Sequence, residues 1–205
     1  MENKSHWENV YATKSPDQVS WTQAVPTTSL RLIEEAGVAK DAAIIDVGGG
    51  DSNLVDYLLD AGYTNVSVLD ISEKALERAK KRLGEKAKLV TWIVSDINTF
   101  VPKQSYELWH DRAVFHFVTD EVAIQKYVEC VANYVGGTFI VGTFSENGPL
   151  KCSGLAIKQY NENSFQHLFG VYFDKKECFT EDHVTPFETI QNFIFCVFKR
   201  RYSCC

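Results

Sequence analysis

The chain has 205 residues, 45% of them apolar and 23% charged, with a formal net charge of −6. That length supports one domain with a full core and leaves little room for two. The negative charge argues against a surface that holds nucleic acid by its phosphates, and no apolar run reaches the length of a membrane span.

Met1 to His6 carries no apolar signal-peptide core, and the six cysteines show no Cys-x-x-Cys spacing. Free thiols and a cytoplasmic location are the expectation. The pair Cys204-Cys205 has the form of a prenylation signal, but nothing else in the chain supports lipidation.

Residues 1–25 are polar yet contain Trp7, Tyr11 and Trp21. Pro26 opens a helix that ends at Gly37, with Leu30 and Ile33 on one face. Ala42 to Val47 reads as a first buried strand, and Ser52 to Ala61 as a crossover helix closed by Gly62. Val66 to Leu69 is a second strand, followed by a helix capped by Ser72 that runs to Leu83. Its basic cluster, Arg78 to Arg82, is expected to be a solvated face. Lys88 to Val94 and Tyr106 to His110 are further strands. A helix opened by Thr119 or Asp120 reaches Tyr134, and Gly137 to Phe144 is a fifth strand. Such alternation predicts a doubly wound parallel sheet. After a helix near Asn163 to Phe169 the pattern changes. Lys176 to Val184 and Thr189 to Arg200, joined by Thr185-Pro186-Phe187, read as an antiparallel pair at one edge. The expected fold class is α/β: a mostly parallel, seven-stranded sheet with an antiparallel C-terminal edge pair.

The first strand ends in Asp46-Val47 and breaks into Gly48-Gly49-Gly50 before a helix. This is the arrangement that lays a ligand against bare backbone at a helix N-terminus. The dinucleotide pattern G-x-G-x-x-G lacks its third glycine, because Asn53 stands there. The S-adenosylmethionine pattern lacks its third because of Ser52. Asp46 and Asp51 repel a pyrophosphate unless they are paired, and favour a cationic ligand. Asp70 closes the second strand about 20 residues on, the spacing of a carboxylate that accepts both ribose hydroxyls. Otherwise it is a residue at the start of the next helix. Asp96 and the Ile97 N–H, at the end of the third strand, fit an adenine; alternatively Asp96 is a turn residue.

These positions, with Val68-Leu69-Asp70-Ile71-Ser72, Ser95-Asp96-Ile97 and the segment from Tyr106 to His116, resemble class I S-adenosylmethionine-dependent methyltransferases over essentially the whole chain. A narrower likeness, to a group of little-characterised methyltransferases, rests on His6-Trp7, Ser20-Trp21-Thr22-Gln23, Asp111-Arg112 and Lys151-Cys152-Ser153-Gly154-Leu155. The resemblance implies a Rossmann-like methyltransferase fold with S-adenosylmethionine as cofactor and S-adenosylhomocysteine as product. It places Gly48 and Gly50 at the methionyl group, Asp70 at the ribose, Asp96 and Ile97 at the adenine, and Asp111 near the sulfonium, with Trp21, Asp46, Gly49 and Ile71 completing the expected cofactor site. Residues 1–205 then form one methyltransferase domain, with 1–37 as a lid segment and helix.

Methyl transfer requires alignment and exclusion of water, and a base only when the nucleophile arrives protonated. His110, Asp111 and His116 are the candidate catalytic groups, although His116 reads more readily as a packed histidine on an apolar face and His110 alternatively as a strand residue with one satisfied nitrogen. Arg112 either anchors a substrate carboxylate or serves as an ion-pair partner, and Ser145 follows the fifth strand toward the same end of the sheet. Trp21 either covers the sulfonium by cation–π contact or packs on the sheet edge. The expected reaction is transfer to an O, N or S nucleophile of a small molecule. Protein-lysine methylation, an NAD(P)-dependent oxidoreductase and a non-catalytic S-adenosylmethionine-binding module are the alternatives. No metal, nucleic acid or membrane partner is expected, and the oligomeric state is not legible.

Overall fold

The computed structural model describes residues 2–201. Cys204 and Cys205 lie outside the described residues. Strand β1, Ile44–Val47, is buried along its whole length, as suits a strand covered by helices on both faces. It is flanked by β2 (Val66–Asp70) and β4 (Tyr106–Arg112), both parallel to it. With β3 (Val90–Val94), β5 (Val135–Phe144), β8 (Phe173–Val184) and β9 (Ile190–Arg200), the sheet order is β3-β2-β1-β4-β5-β9-β8. The last two strands run antiparallel, β9 against both β5 and β8. The expected mostly parallel, seven-stranded sheet with an antiparallel edge pair is the one observed. Strand order reverses between β1 and β4, and the crevice at such a reversal is where open α/β sheets bind ligands.

Helices α2 (Thr27–Glu35), α3 (Leu54–Asp60), α4 (Glu73–Leu83), α5 (Glu121–Tyr134) and α6 (Glu162–Phe169) lie within two residues of the expected bounds. Ser72 Oγ accepts from Ala75 N–H at 3.2 Å, and Asp120 Oδ1 from Ala123 N–H at 3.0 Å, which starts α4 and α5 where the sequence suggests. Alternation along β4 sends Trp109 into one hydrophobic layer, with Phe115, Phe139, Phe169 and Phe198, and Leu108 into the other, with Leu32, Leu54 and Phe144. Burying each of these large side chains stabilises the fold by roughly 1.5–3 kcal/mol before ordering costs. Among the described residues no helix is long and apolar enough to cross a membrane.

Three features depart from the sequence reading. Residues Glu2–Thr13 form a helix, α1, which has no apolar periodicity of its own and is held by contacts with the rest of the chain. A short hairpin, β6 (Lys151–Cys152) with β7 (Leu155–Ala156), turns through Ser153 and Gly154, both at positive φ. Cys178 and Cys196 are joined in a disulfide, contrary to the expected free thiols, whereas Cys130 and Cys152 are free. The antiparallel register of β8 and β9 sets these two residues opposite each other. Spacing in sequence does not encode that register.

Candidate active site

The turn after β1 is built on glycine for steric reasons. Gly48 and Gly50 sit at φ +68° and +37°, where side chains are disfavoured. A β-carbon on Gly50 would lie 2.6 Å from Asp70 Oδ2, and one on Gly49 would strike the Asp46 carboxylate and Val68. Ser52, in place of a third glycine, accepts from Leu54 N–H at 3.1 Å and so helps start α3.

Register explains the chemistry beneath the turn. Asp46 and His110 are direct partners across β1 and β4, and their side chains meet. His110 Nδ1 lies 2.7 Å from Asp46 Oδ1, and Nε2 lies 2.9 Å from Ser29 Oγ of α2. The network closes when Nδ1–H donates to the carboxylate and Nε2 accepts from the serine hydroxyl. All three residues are almost fully buried.

Asp51 is neutralised. Arg82 donates to it at 2.8 Å and Arg78 lies at 3.4 Å, while Arg82 also pairs with Asp56. The basic cluster on α4 is therefore not wholly a solvated face. With Asp51 paired to arginine and Asp46 hydrogen-bonded to His110, repulsion of a pyrophosphate by bare carboxylates loses its force as a reason to choose between cofactors.

Asp70 accepts from Ser72 N–H at 2.8 Å. Burial, with Asp46 and Glu8 nearby, lifts its pKa to about 7 against the pull of that hydrogen bond. A buried carboxyl in this position gains from ligand hydroxyl donors. Asp96 Oδ1 accepts from both the backbone and side-chain N–H groups of Asn98 at 2.9 Å, so the turn role of Asp96 is real.

A cavity of about 390 Å³ runs across these groups. Trp21, Asp46, Gly48, Gly49, Asp70, Ile71, Asp96, Ile97, His110 and Arg112 all line it, as do Ser29 and Cys152. Its roof is aromatic: Trp7 stands edge-on to Trp21 at 5.5 Å and to Phe117 at 5.2 Å, with Tyr11 beside them. The roof is fastened through Glu8, whose carboxylate accepts from Glu73 N–H at 2.8 Å at the N-terminus of α4. These bare backbone turns and strand-end carboxylates fit S-adenosylmethionine.

Four of the expected site residues do not line the cavity. Gly50 lies beneath Tyr11 and Asp70. Asp111 falls on the opposite face of β4 from His110. It accepts from Val114 and Phe115 N–H and from the Tyr127 hydroxyl at 2.6 Å. Burial raises its pKa to about 6, opposed by those hydrogen bonds. His116 is stacked on Phe144 at 4.5 Å, and burial, helped by Arg112, pushes its pKa down to about 3. Ser145 bonds to Asn192 and to Asn147 N–H. Ser29 and Glu8 were not singled out from the sequence, Cys152 was noted only within the narrower likeness, and Arg78 and Arg82 only as part of a solvated face. Each is an ordinary residue of its own element and acquires meaning only from its neighbours in space.

Residues 44–135 match the sequence profile of a methyltransferase domain. The chain is 28% identical over 109 residues to malonyl-[acyl-carrier protein] O-methyltransferase 1 of Ilyobacter polytropus, covering 53% of this chain and 40% of that protein. It thus spans well under half the length of that curated relative. In structure it is similar to the N-methyltransferase NodS of Bradyrhizobium japonicum in complex with S-adenosylhomocysteine (TM-score 0.72, 15% identity, covering 98% and 100% of the two chains). It is also similar to magnesium protoporphyrin IX methyltransferase of Synechocystis with bound S-adenosylmethionine (TM-score 0.69, 18% identity, 97% and 91%). The structural likenesses establish the fold, and the domain match lies on its glycine turn and the two strand ends that follow. Residues 44–135 thus carry a methyltransferase domain, set in a chain with the Rossmann-like methyltransferase fold.

Proposed function

We propose that the protein transfers the methyl group of S-adenosylmethionine to an O, N or S nucleophile of a small organic acceptor. One observation carries this reading: a single cavity spans the glycine turn, Asp70 and Asp96, and continues to a polar end formed by Ser29, His110 and Arg112. When bound, the cofactor supplies a methyl group already activated on sulfur. In this proposal the turn of Gly48 to Gly50 accepts the methionyl end, Asp70 and Ile71 the ribose, and Asp96 with Ile97 the adenine. Residues 1–205 act as one unit, with the segment 1–37 providing the aromatic roof that excludes water. Asp111 is assigned to holding the turn after β4, not to the sulfonium.

The chain Asp46–His110–Ser29 accepts a proton when the nucleophile arrives protonated. Ser29 Oγ takes it as its own proton passes to His110 Nε2, and Asp46 stabilises the imidazolium. The aromatic roof favours a small acceptor over a lysine presented by a folded protein, because such a lysine needs an open channel. The Ilyobacter relative is named for an acyl-carrier substrate; only the broader class of organic acceptor is carried over here. Isothermal titration tests the cofactor: S-adenosylhomocysteine binds and NADH does not. Binding of NADH alone overturns the proposal.

A further inference from the structure

We propose that the methyl acceptor is a carboxylic acid, bound as its anion by Arg112; this rests on the methyltransferase reading above. Arg112 ends β4 and lines the cavity. Its Nη1 donates to the Trp21 carbonyl at 3.0 Å, and its guanidinium stands 4.9 Å over the Phe193 ring. Its Nε is buried and has no partner, and Arg112 forms no ion pair among the described residues. The two carboxylates whose fields it feels are otherwise engaged. Glu181 accepts from the Thr28 hydroxyl at 2.5 Å, and Asp46 is held by His110.

Burial lowers the Arg112 pKa only to about 10, so the group is a cation at neutral pH. A buried cation with unused donors is costly, and its natural complement is a planar anion that takes two parallel N–H bonds.

Two carboxylates are chemically eligible: that of the acceptor and that of the cofactor's methionyl group. Position favours the acceptor. Phe193 and Glu181 belong to β9 and β8, on the side of β4 away from β1, β2 and β3. The glycine turn, Asp70 and Asp96 stand on that other half. Arg112 therefore faces the part of the cavity that the cofactor leaves over.

The test uses protein saturated with S-adenosylhomocysteine and ligand-observed NMR. The probes are acetate, malonate, benzoate and indole-3-acetate, each compared with its neutral carboxamide. The acids are expected to bind on the order of tenfold to a hundredfold more tightly than the amides. Arg112→Gln is expected to abolish that preference while leaving affinity for S-adenosylhomocysteine within about twofold, and Arg112→Lys to keep part of it. Equal binding of acids and amides, or binding of no acid, overturns the proposal. So does a loss of S-adenosylhomocysteine affinity in Arg112→Gln as large as the loss for acids, which assigns the arginine to the cofactor. The acid–amide contrast is read on the unaltered protein and does not depend on the variants folding. Failure of that protein to bind S-adenosylhomocysteine at all refutes the methyltransferase reading instead.

Discussion

Replacing Asp70 by Asn separates what this carboxylate does for a ligand from what it costs the fold. Asp70 is 6% exposed and its pKa rises from 3.8 to about 7, burial being the largest cause. Between about pH 4 and pH 7 the folded protein therefore holds a proton that the unfolded chain has released. Stability falls as pH rises through that window and is lowest above it. The cost of carrying the charge at pH 8 is at most about 4.5 kcal/mol, since each pH unit between the two values is worth about 1.4 kcal/mol. Asn keeps an acceptor for Ser72 N–H and removes the charge, but its amide hydrogens face the buried side of Gly50, so only part of that sum is recovered. Ligand-free Asp70→Asn should melt about 2–8 °C above the parent protein at pH 8, and no higher at about pH 4.5. Its affinity for S-adenosylhomocysteine should move the other way, falling on the order of tenfold or more, because an amide is a weaker acceptor for a ribose diol. In the parent protein that affinity should strengthen from pH 6 to pH 8 as Asp70 ionises. Scanning calorimetry and isothermal titration read both quantities. A variant that melts lower at pH 8 and binds S-adenosylhomocysteine as tightly as the parent refutes the reasoning at both points.

Three further substitutions divide the groups around β4. Ser29→Ala leaves His110 Nε2 without its partner and should slow methyl transfer on the order of a hundredfold with S-adenosylhomocysteine affinity unchanged; undiminished turnover would show that Ser29 only packs. Asp111→Ala strips the acceptor from two backbone N–H groups and the Tyr127 hydroxyl, so the protein should lose about 3 kcal/mol and melt about 6–12 °C lower. Asp111→Asn should retain most of that stability, and a loss of S-adenosylhomocysteine affinity without a loss of stability would return Asp111 to the cofactor site.

Much of the site was legible because its parts are local. A glycine run after a buried strand, and an acid at each of the next two strand ends, are patterns within a few residues. Trp21, Asp46, Gly48, Gly49, Asp70, Ile71, Asp96, Ile97, His110 and Arg112 accordingly meet in one cavity. The residues that behave differently from expectation were judged from their chain neighbours alone. Asp111 looked like a site acid because it follows His110, yet successive strand residues point to opposite faces. The alternative of a packed core residue holds for His116, which stacks on Phe144 twenty-eight residues away. Helix α1 went unseen because its apolar contacts are aromatic and irregular, and its fastening, Glu8 on α4, spans the distance between two elements.

Sequence by itself determined the fold class, the succession of strands and helices and the class of ligand, because alternating periodicity, helix caps and glycine turns act over short stretches of chain. Only the tertiary structure decided which charges are spent. Register across β1 and β4 gives Asp46 to His110, α4 brings Arg82 to Asp51 in the glycine turn, and among the described residues no carboxylate pairs with Arg112. A side chain's charge is written in the sequence, but whether anything neutralises it depends on residues that only folding brings within a few ångströms.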